Sequence, residues 1–338
     1  MAGEVKQVRR HAFSADLRRR VQAYYALDNL HGPLELLEHW SVILLAAAGS
    51  YWAWVSLPLY LALPAYLCAI FLIGGRQRAL SGVLHQACHR TFMKNRRAGT
   101  VLGAVFGGHP VLQSYTGYVA SHLRAHHSLF GDPEQDPDYQ FFVTSGLYGA
   151  GRCKASLRRY LFRVVSPAGT LRYISFLIRH RILPADEDRW ETAVRLATYA
   201  LVIGVALWTG VFWVLLAYWL VPLVTTHAWI GSIAELLEHY PLMEPEEPVD
   251  IQMSRNREFG LLWDLVVGEK HGEGYHLVHH LFPRVPQWRL SRVHELLKSD
   301  PAYAALETPR NPVKAFQAIY NALPSGPVSS IREKQAAG

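Results

Sequence analysis

Seventeen histidines stand among the 338 residues, and eight of them fall in three tight groups. The groups are His85-Gln-Ala-Cys-His89, His122-Leu-Arg-Ala-His126-His127 and His276-Leu-Val-His279-His280. On a helix, side chains three or four positions apart share a face, so each group can aim imidazoles at one place. Imidazole is a good ligand for iron, copper, nickel and zinc. One tetrahedral zinc takes at most four protein ligands, so eight imidazoles are too many for one such ion and enough for two metals of higher coordination. Oxygen chemistry requires a redox metal with open positions, which points to iron. A single His pair is an ordinary surface feature of a helix; three groups on one side of a membrane are not. A zinc-protease helix would need Glu after the first histidine, where this chain has Gln86. Cys68, Cys88 and Cys153 form no CxxC pair and suggest neither a disulfide framework nor a thiolate zinc site; Cys88 is assigned to packing.

The elements that must position these groups are apolar. Only 18% of the chain is charged, against about a quarter in an average soluble protein. No Asp, Glu, Lys or Arg occurs from His39 to Gly75 or from Leu196 to Ala234. Each stretch exceeds the ~20 residues that cross a bilayer once, and each can cross twice as a hairpin turning at Pro58 or at Thr209-Gly210. Spans are expected near Trp40–Leu57, Leu59–Gly75, Thr192–Trp208 and Val211–Ile230. The first apolar run begins near residue 41 and is too long for a signal peptide.

The expected fold is all-α and integral to the membrane: four transmembrane helices in two hairpins, with a cytoplasmic helical cap holding a di-iron site. Residues 1–38 form a basic N-terminal segment, 39–295 the membrane domain with the histidine groups, and 296–338 a C-terminal tail that frays after Pro324. Arg76–His89 reads as a helix leaving the membrane, Val101–Leu112 as a re-entrant or interfacial segment, Gly131–Asp138 as a loop, and Arg158–Arg181 as two surface helices split by Pro167-Ala168-Gly169. Arg18–Arg20, Arg76, Arg78, Arg172, Arg179, Arg181, Arg255 and Arg257 flank the hairpins, while the hairpin turns carry no Lys or Arg. The positive-inside rule then puts both termini and the active site on the cytoplasmic side: the plasma membrane in a bacterium, the endoplasmic reticulum in a eukaryote. The net charge of +7 suits an anionic lipid surface, and no nucleic-acid motif accompanies it.

The order HxxxH, HxxxHH, HxxHH, interleaved with two hairpins, resembles the integral-membrane fatty-acid desaturase superfamily over roughly residues 35–295. Tyr275-His-Leu-Val-His-His-Leu-Phe-Pro283 is similar to the third box of acyl desaturases. His126-His127-Ser-Leu-Phe-Gly-Asp132, with Asp136 and Asp138 beyond, is similar to the second. The resemblance implies a di-iron oxidoreductase with O₂ as co-substrate that removes two hydrogens and leaves a C=C bond. Its metal ligands would be His85, His89, His122, His126, His127, His276, His279 and His280. It also implies a ninth ligand at the end of the fourth span. His239, in Glu238-His239-Tyr240, is favoured over His227, because twelve residues of helix separate the two by ~18 Å. Asp132, Asp136, Asp138, Glu235 and Glu273 are candidates to hold ligand rings, the three aspartates being by default solvated loop residues; His271 is a further candidate. The substrate is expected to be an acyl lipid or other amphipathic molecule in an apolar channel lined by the spans and Val101–Leu112. Some relatives act instead on small amino-acid-like metabolites, such as the precursor of rhizobitoxine, and others are hydroxylases. No fused heme or flavin module is apparent, so an external donor of ferredoxin or cytochrome b5 type is implied. A reading of another class is a non-catalytic zinc-binding membrane sensor or receptor.

Overall fold

The computed structural model describes residues 8–184, 188–244 and 248–326. Among these the chain is helical, with one isolated backbone bridge between Arg9 and Val249. The first charge-free stretch folds as a hairpin of α1 (His31–Ser56) and α2 (Leu59–Cys88), with Pro58 as the N-cap of α2. Proline suits that place because it has no N–H to leave unpaired where one helix stops and the next begins. The second stretch folds as α3 (Arg189–Trp208) and α4 (Phe212–His239), turning at Gly210, whose φ of +73° is left-handed and suits glycine. α4 is irregular. It contains a π-turn at Leu216–Leu220 and a break at Thr225, where φ is −123° and ψ −90°.

Three helices, α2, α3 and α4, are long and apolar enough to cross a membrane. α1 has the length, but Trp40, Trp52, Trp54 and several Gly and Ser residues dilute its hydropathy. Its outer face still exposes Leu44, Leu45, Trp52 and Val55, and α3 exposes Leu196, Leu201, Leu207 and Trp208. Contiguous apolar surface of that extent marks contact with lipid or with another protein. Lys154–Val164 and Pro167–Ile182 form a bent pair at 85°, divided at the proline as the sequence suggests. Gly103–Gly108 is a π-turn lying on α2, so close that a Cβ on Gly103 would stand 2.3 Å from that of Ala87.

The crossing of α2 and α4 sets the site. Thr226 donates its hydroxyl to Ile70 C=O at 2.6 Å, and a Cβ on Gly74 would sit 2.1 Å from Thr226 Oγ1. Beyond this point both helices run on, at about 1.5 Å per residue, for some 16–20 Å. They deliver His85 and His239 to the same end of the molecule. Flanking segments close that end. Phe13, Leu17 and Val21 pack with Leu277, Val278 and Val293, and Ala315 and Ile319 of the helix Pro312–Asn321 pack with Tyr139, Phe142 and Leu236.

Candidate metal centre and its cavity

His85 lies in the last turn of α2, and His89 is that helix's C-cap. The second group rides on a π-helix, Val119–His126, in which His127 N–H bonds His122 C=O at 2.8 Å, five residues back. The wider turn brings positions i and i+5 together and leaves His126 on another side. The third group is carried by the short helix α5 (His276–Leu281), whose Leu277 and Val278 are buried under the N-terminal segment.

The result is two clusters. His85, His89, His122, His127 and His279 present ring nitrogens within 4.8 Å of one another, and so do His126, His239, His276 and His280. The second and third groups therefore straddle both clusters. In the first cluster His85 Nε2 stands 2.9 Å from His279 Nε2, and His127 Nε2 stands 3.0 Å from His122 Nε2 and 3.1 Å from His279 Nε2. In the second, His276 Nε2 lies 3.0 Å from both His239 Nε2 and His280 Nε2. The stacked rings of His127 and His280 join the clusters at 4.4 Å between centroids.

Burial first, then the neighbouring imidazoles, hold His122, His127, His276, His279 and His280 well below the usual imidazole range. These rings are neutral, the form that binds metal. The Nε2 of His89 is buried and has no hydrogen-bond partner. Converging nitrogens in groups of five and four fit two iron ions, and five are more than one tetrahedral zinc would take.

His239 thus joins the eight, being wholly buried at the end of α4. His227 stands in neither cluster. His126 differs from the other rings. Burial alone would lower its pKa, but Asp136, 3.1 Å from Nδ1, raises it to about 9. The default reading of the aspartates is corrected here: Asp136 and Asp138 are 0% and 5% exposed, and only Asp132 behaves as a loop residue, accepting from Glu134 and Gln135 N–H. The expected loop therefore ends at Asp136, which caps the helix Pro137–Thr144. His11, His109, His271 and His294 instead meet Asp300, Glu191, Glu38 and Tyr303. Sequence reasoning missed Glu238 Oε2, 3.6 Å from His276 Nε2; its place one residue before His239 was the available signal.

The cavity that opens on the imidazoles of His85, His122, His276 and His279 is mixed, not the apolar channel expected: Tyr118, Tyr173, Val285 and Leu290 share its lining with charged groups. Its walls include Arg78, Arg181, Glu235, Glu238 and Glu273. Arg78 bonds Glu273 at 2.9 Å and Glu238 at 3.3 Å. Arg257 holds Glu238 at 2.7 Å and also pairs with Glu269, and Arg181 bonds Asp138 at 3.2 Å. The apolar groove lined by Trp40, Ile43, Leu201 and Tyr218 is a separate feature that includes none of the clustered histidines.

The family model for fatty acid desaturases matches residues 58–310. The chain is 32% identical over 288 residues to the dihydrorhizobitoxine desaturase of Bradyrhizobium elkanii, a match that covers 82% of this chain and 78% of that protein. It is 24% identical over 278 residues to the sn-1 acyl-lipid omega-3 desaturase (ferredoxin) of Nostoc sp. (strain 36), covering 75% and 71%. It is 25% identical over 257 residues to the Delta(8)-fatty-acid desaturase of Euglena gracilis, covering 68% and 59%. Helices that can cross a membrane, two histidine clusters at one end of them and the match along most of the chain agree: this chain belongs to the fatty acid desaturase family and is an O₂-using oxidoreductase.

Proposed function

We propose that the chain is a di-iron desaturase of a small, polar, amino-acid-like molecule, with the two imidazole clusters each holding one iron. Iron bound there would supply the reduction of O₂ and the removal of hydrogen from unactivated carbon. The balance is R–CH₂–CH₂–R plus O₂, two electrons and two protons giving R–CH=CH–R and two waters. The electrons come from a separate donor of ferredoxin or cytochrome b5 type. A cleft edged by Arg90, Arg96 and Arg284 reaches His89 and suits an acidic donor. The chain's own task is to fix the rings, keep bulk water away and hold two adjacent carbons toward the clusters. A misplacement of ~1 Å can cost ~100-fold in rate. Both termini and the site face the cytoplasm across four spans in this reading.

The observation that carries the substrate assignment is the charged cavity wall against the histidines. An acyl chain placed there would strip water from these ion pairs and leave the Glu235 carboxylate with no polar partner, at a cost of several kcal/mol. The Bradyrhizobium relative, whose name gives dihydrorhizobitoxine as its substrate, supports the same reading. The names of the Nostoc and Euglena relatives favour an acyl lipid as the second reading. Mass analysis of cells with and without the protein tests both. A polar metabolite lighter by two hydrogens is the expected product. The same change in the lipid fraction selects the second reading, and a gain of one oxygen selects hydroxylation. A protein that takes only zinc and stays inert to O₂ after iron loading contradicts the enzyme.

A further inference from the structure

The carboxylates of the cavity are unequally provided for. Glu238, Glu273 and Asp138 each meet an arginine. Glu235 lines the same cavity but takes part in no hydrogen bond and no ion pair with any described residue. Arg181 and His126 act on it only from beyond ion-pair distance. Across this connected, largely buried set, Asp138, Glu235, Glu238, Glu269 and Glu273 face three arginines, Arg78, Arg181 and Arg257, and otherwise the imidazoles of His126 and His276. An excess of buried negative charge is costly unless a cation completes it. Two further groups on the same wall are also incomplete. Gln113 Oε1 and His227 Nδ1 belong to side chains 2% and 3% exposed, and neither atom has a partner.

We infer that this cavity binds the ammonium group of the substrate on Glu235, with Gln113 lining the same cavity, and that this contact selects amine-bearing molecules over uncharged chains. The inference rests on the small-substrate reading above and assigns that substrate's charge. Glu235 is four residues before His239, on the same face of α4. Its carboxylate, that of Glu238 and the ring nitrogen of His239 lie within 4.8 Å of one another. An ammonium held there sits about one helical turn from the cluster, so carbons a few bonds away can face the histidines. An ammonium has three hydrogens to donate and no acceptor, which matches a carboxylate and an unpartnered amide oxygen.

The test uses iron-loaded full-length protein in nanodiscs, with hexylamine, norleucine and hexanoate as probes. Binding is read by calorimetry or by the spectrum of the ferrous site. Hexylamine and norleucine are expected to bind wild type, and hexanoate to bind at least ~10-fold more weakly. Glu235→Gln keeps the shape and removes the charge. It is expected to lose hexylamine binding by ~10- to 100-fold, the worth of one charge-assisted hydrogen bond, with iron content unchanged. Glu235→Asp, which keeps the charge, is expected to retain part of the binding. Equal hexylamine affinity in wild type and Glu235→Gln overturns the Glu235 assignment and leaves the small-substrate reading intact. Loss of iron in Glu235→Gln overturns it differently, by making Glu235 part of the metal centre. Failure of all three probes in wild type, with tight binding of a long-chain acyl lipid, overturns the small-substrate reading as well.

Discussion

Replacing Asp136 by Asn removes one charge and very little volume, and its effect can be worked from the contacts. The carboxylate stands 3.1 and 3.2 Å from His126 Nδ1 through its two oxygens and accepts Gly131 N–H at 2.9 Å. It also caps a helix, accepting from Asp138 N–H at 3.0 Å and Tyr139 N–H at 3.3 Å. An asparagine oxygen can keep the cap. Its NH₂ then faces Gly131 N–H, which a donor cannot satisfy, and His126 Nδ1–H keeps only a neutral amide oxygen at 3.1 Å in place of a carboxylate. The lost charge-assisted bond is worth ~1.5–3 kcal/mol, or ~10- to 100-fold at 1.4 kcal/mol per decade. Carboxylates behind metal-bound imidazoles show the same range when mutated. His126 also loses the influence that raises its pKa to about 9 and becomes a weaker base and ligand. Chelator titration of iron-loaded protein is the assay. Wild type should release iron in one narrow range, whereas Asp136→Asn should release one iron ~10- to 100-fold more readily and keep the iron of the five-histidine cluster. Release of both irons at wild-type chelator concentrations would refute the argument.

Three further outcomes follow from contacts already described. His227→Ala should retain both irons, because His227 stands in neither cluster; metal analysis showing one iron would restore it as a ligand. Arg257→Leu breaks a pair buried on all sides, Arg257 being 2% exposed. It should cost up to ~3–5 kcal/mol of stability by leaving Glu238 and Glu269 to share Arg78, 3.3 and 3.4 Å away, read as a lowered thermal transition in detergent. Gly75→Ala would place a Cβ 1.8 Å from Val266 C=O. It should cost ~1–3 kcal/mol or more and loosen the Arg76 bond to Leu265 C=O, now 2.8 Å; unchanged thermal stability would contradict the close packing.

The sequence made the chemistry legible and left the cavity hidden. The histidine groups, the hairpins and His239 could be read because they are local patterns. The division of labour within each group could not be read, because it depends on the π-turn that pairs His122 with His127 and sends His126 elsewhere. Asp136 and Asp138 looked like loop residues since nothing in Gly131–Asp138 signals burial. The cavity was invisible for a different reason: Arg78, Gln113, Arg181, Glu235 and Glu273 come from five separate segments. Arg76, Arg181 and Arg257, read as markers of the cytoplasmic side, are 0%, 5% and 2% exposed. Arg181 and Arg257 are explained by the carboxylates they hold, and Arg76 by Leu265 C=O. Charge counts near spans carry less information about orientation when the charges are buried partners.

In the proposed centre nine imidazoles hold two irons, five at one and four at the other. Iron per chain, measured on purified wild type, His89→Ala and His239→Ala, tests it most directly, since each variant removes a ring from a different cluster. Two irons are expected in wild type and a selective loss of one in each variant, with the double variant losing both. Zinc in place of iron, a single iron in wild type, or full iron in His239→Ala would contradict it.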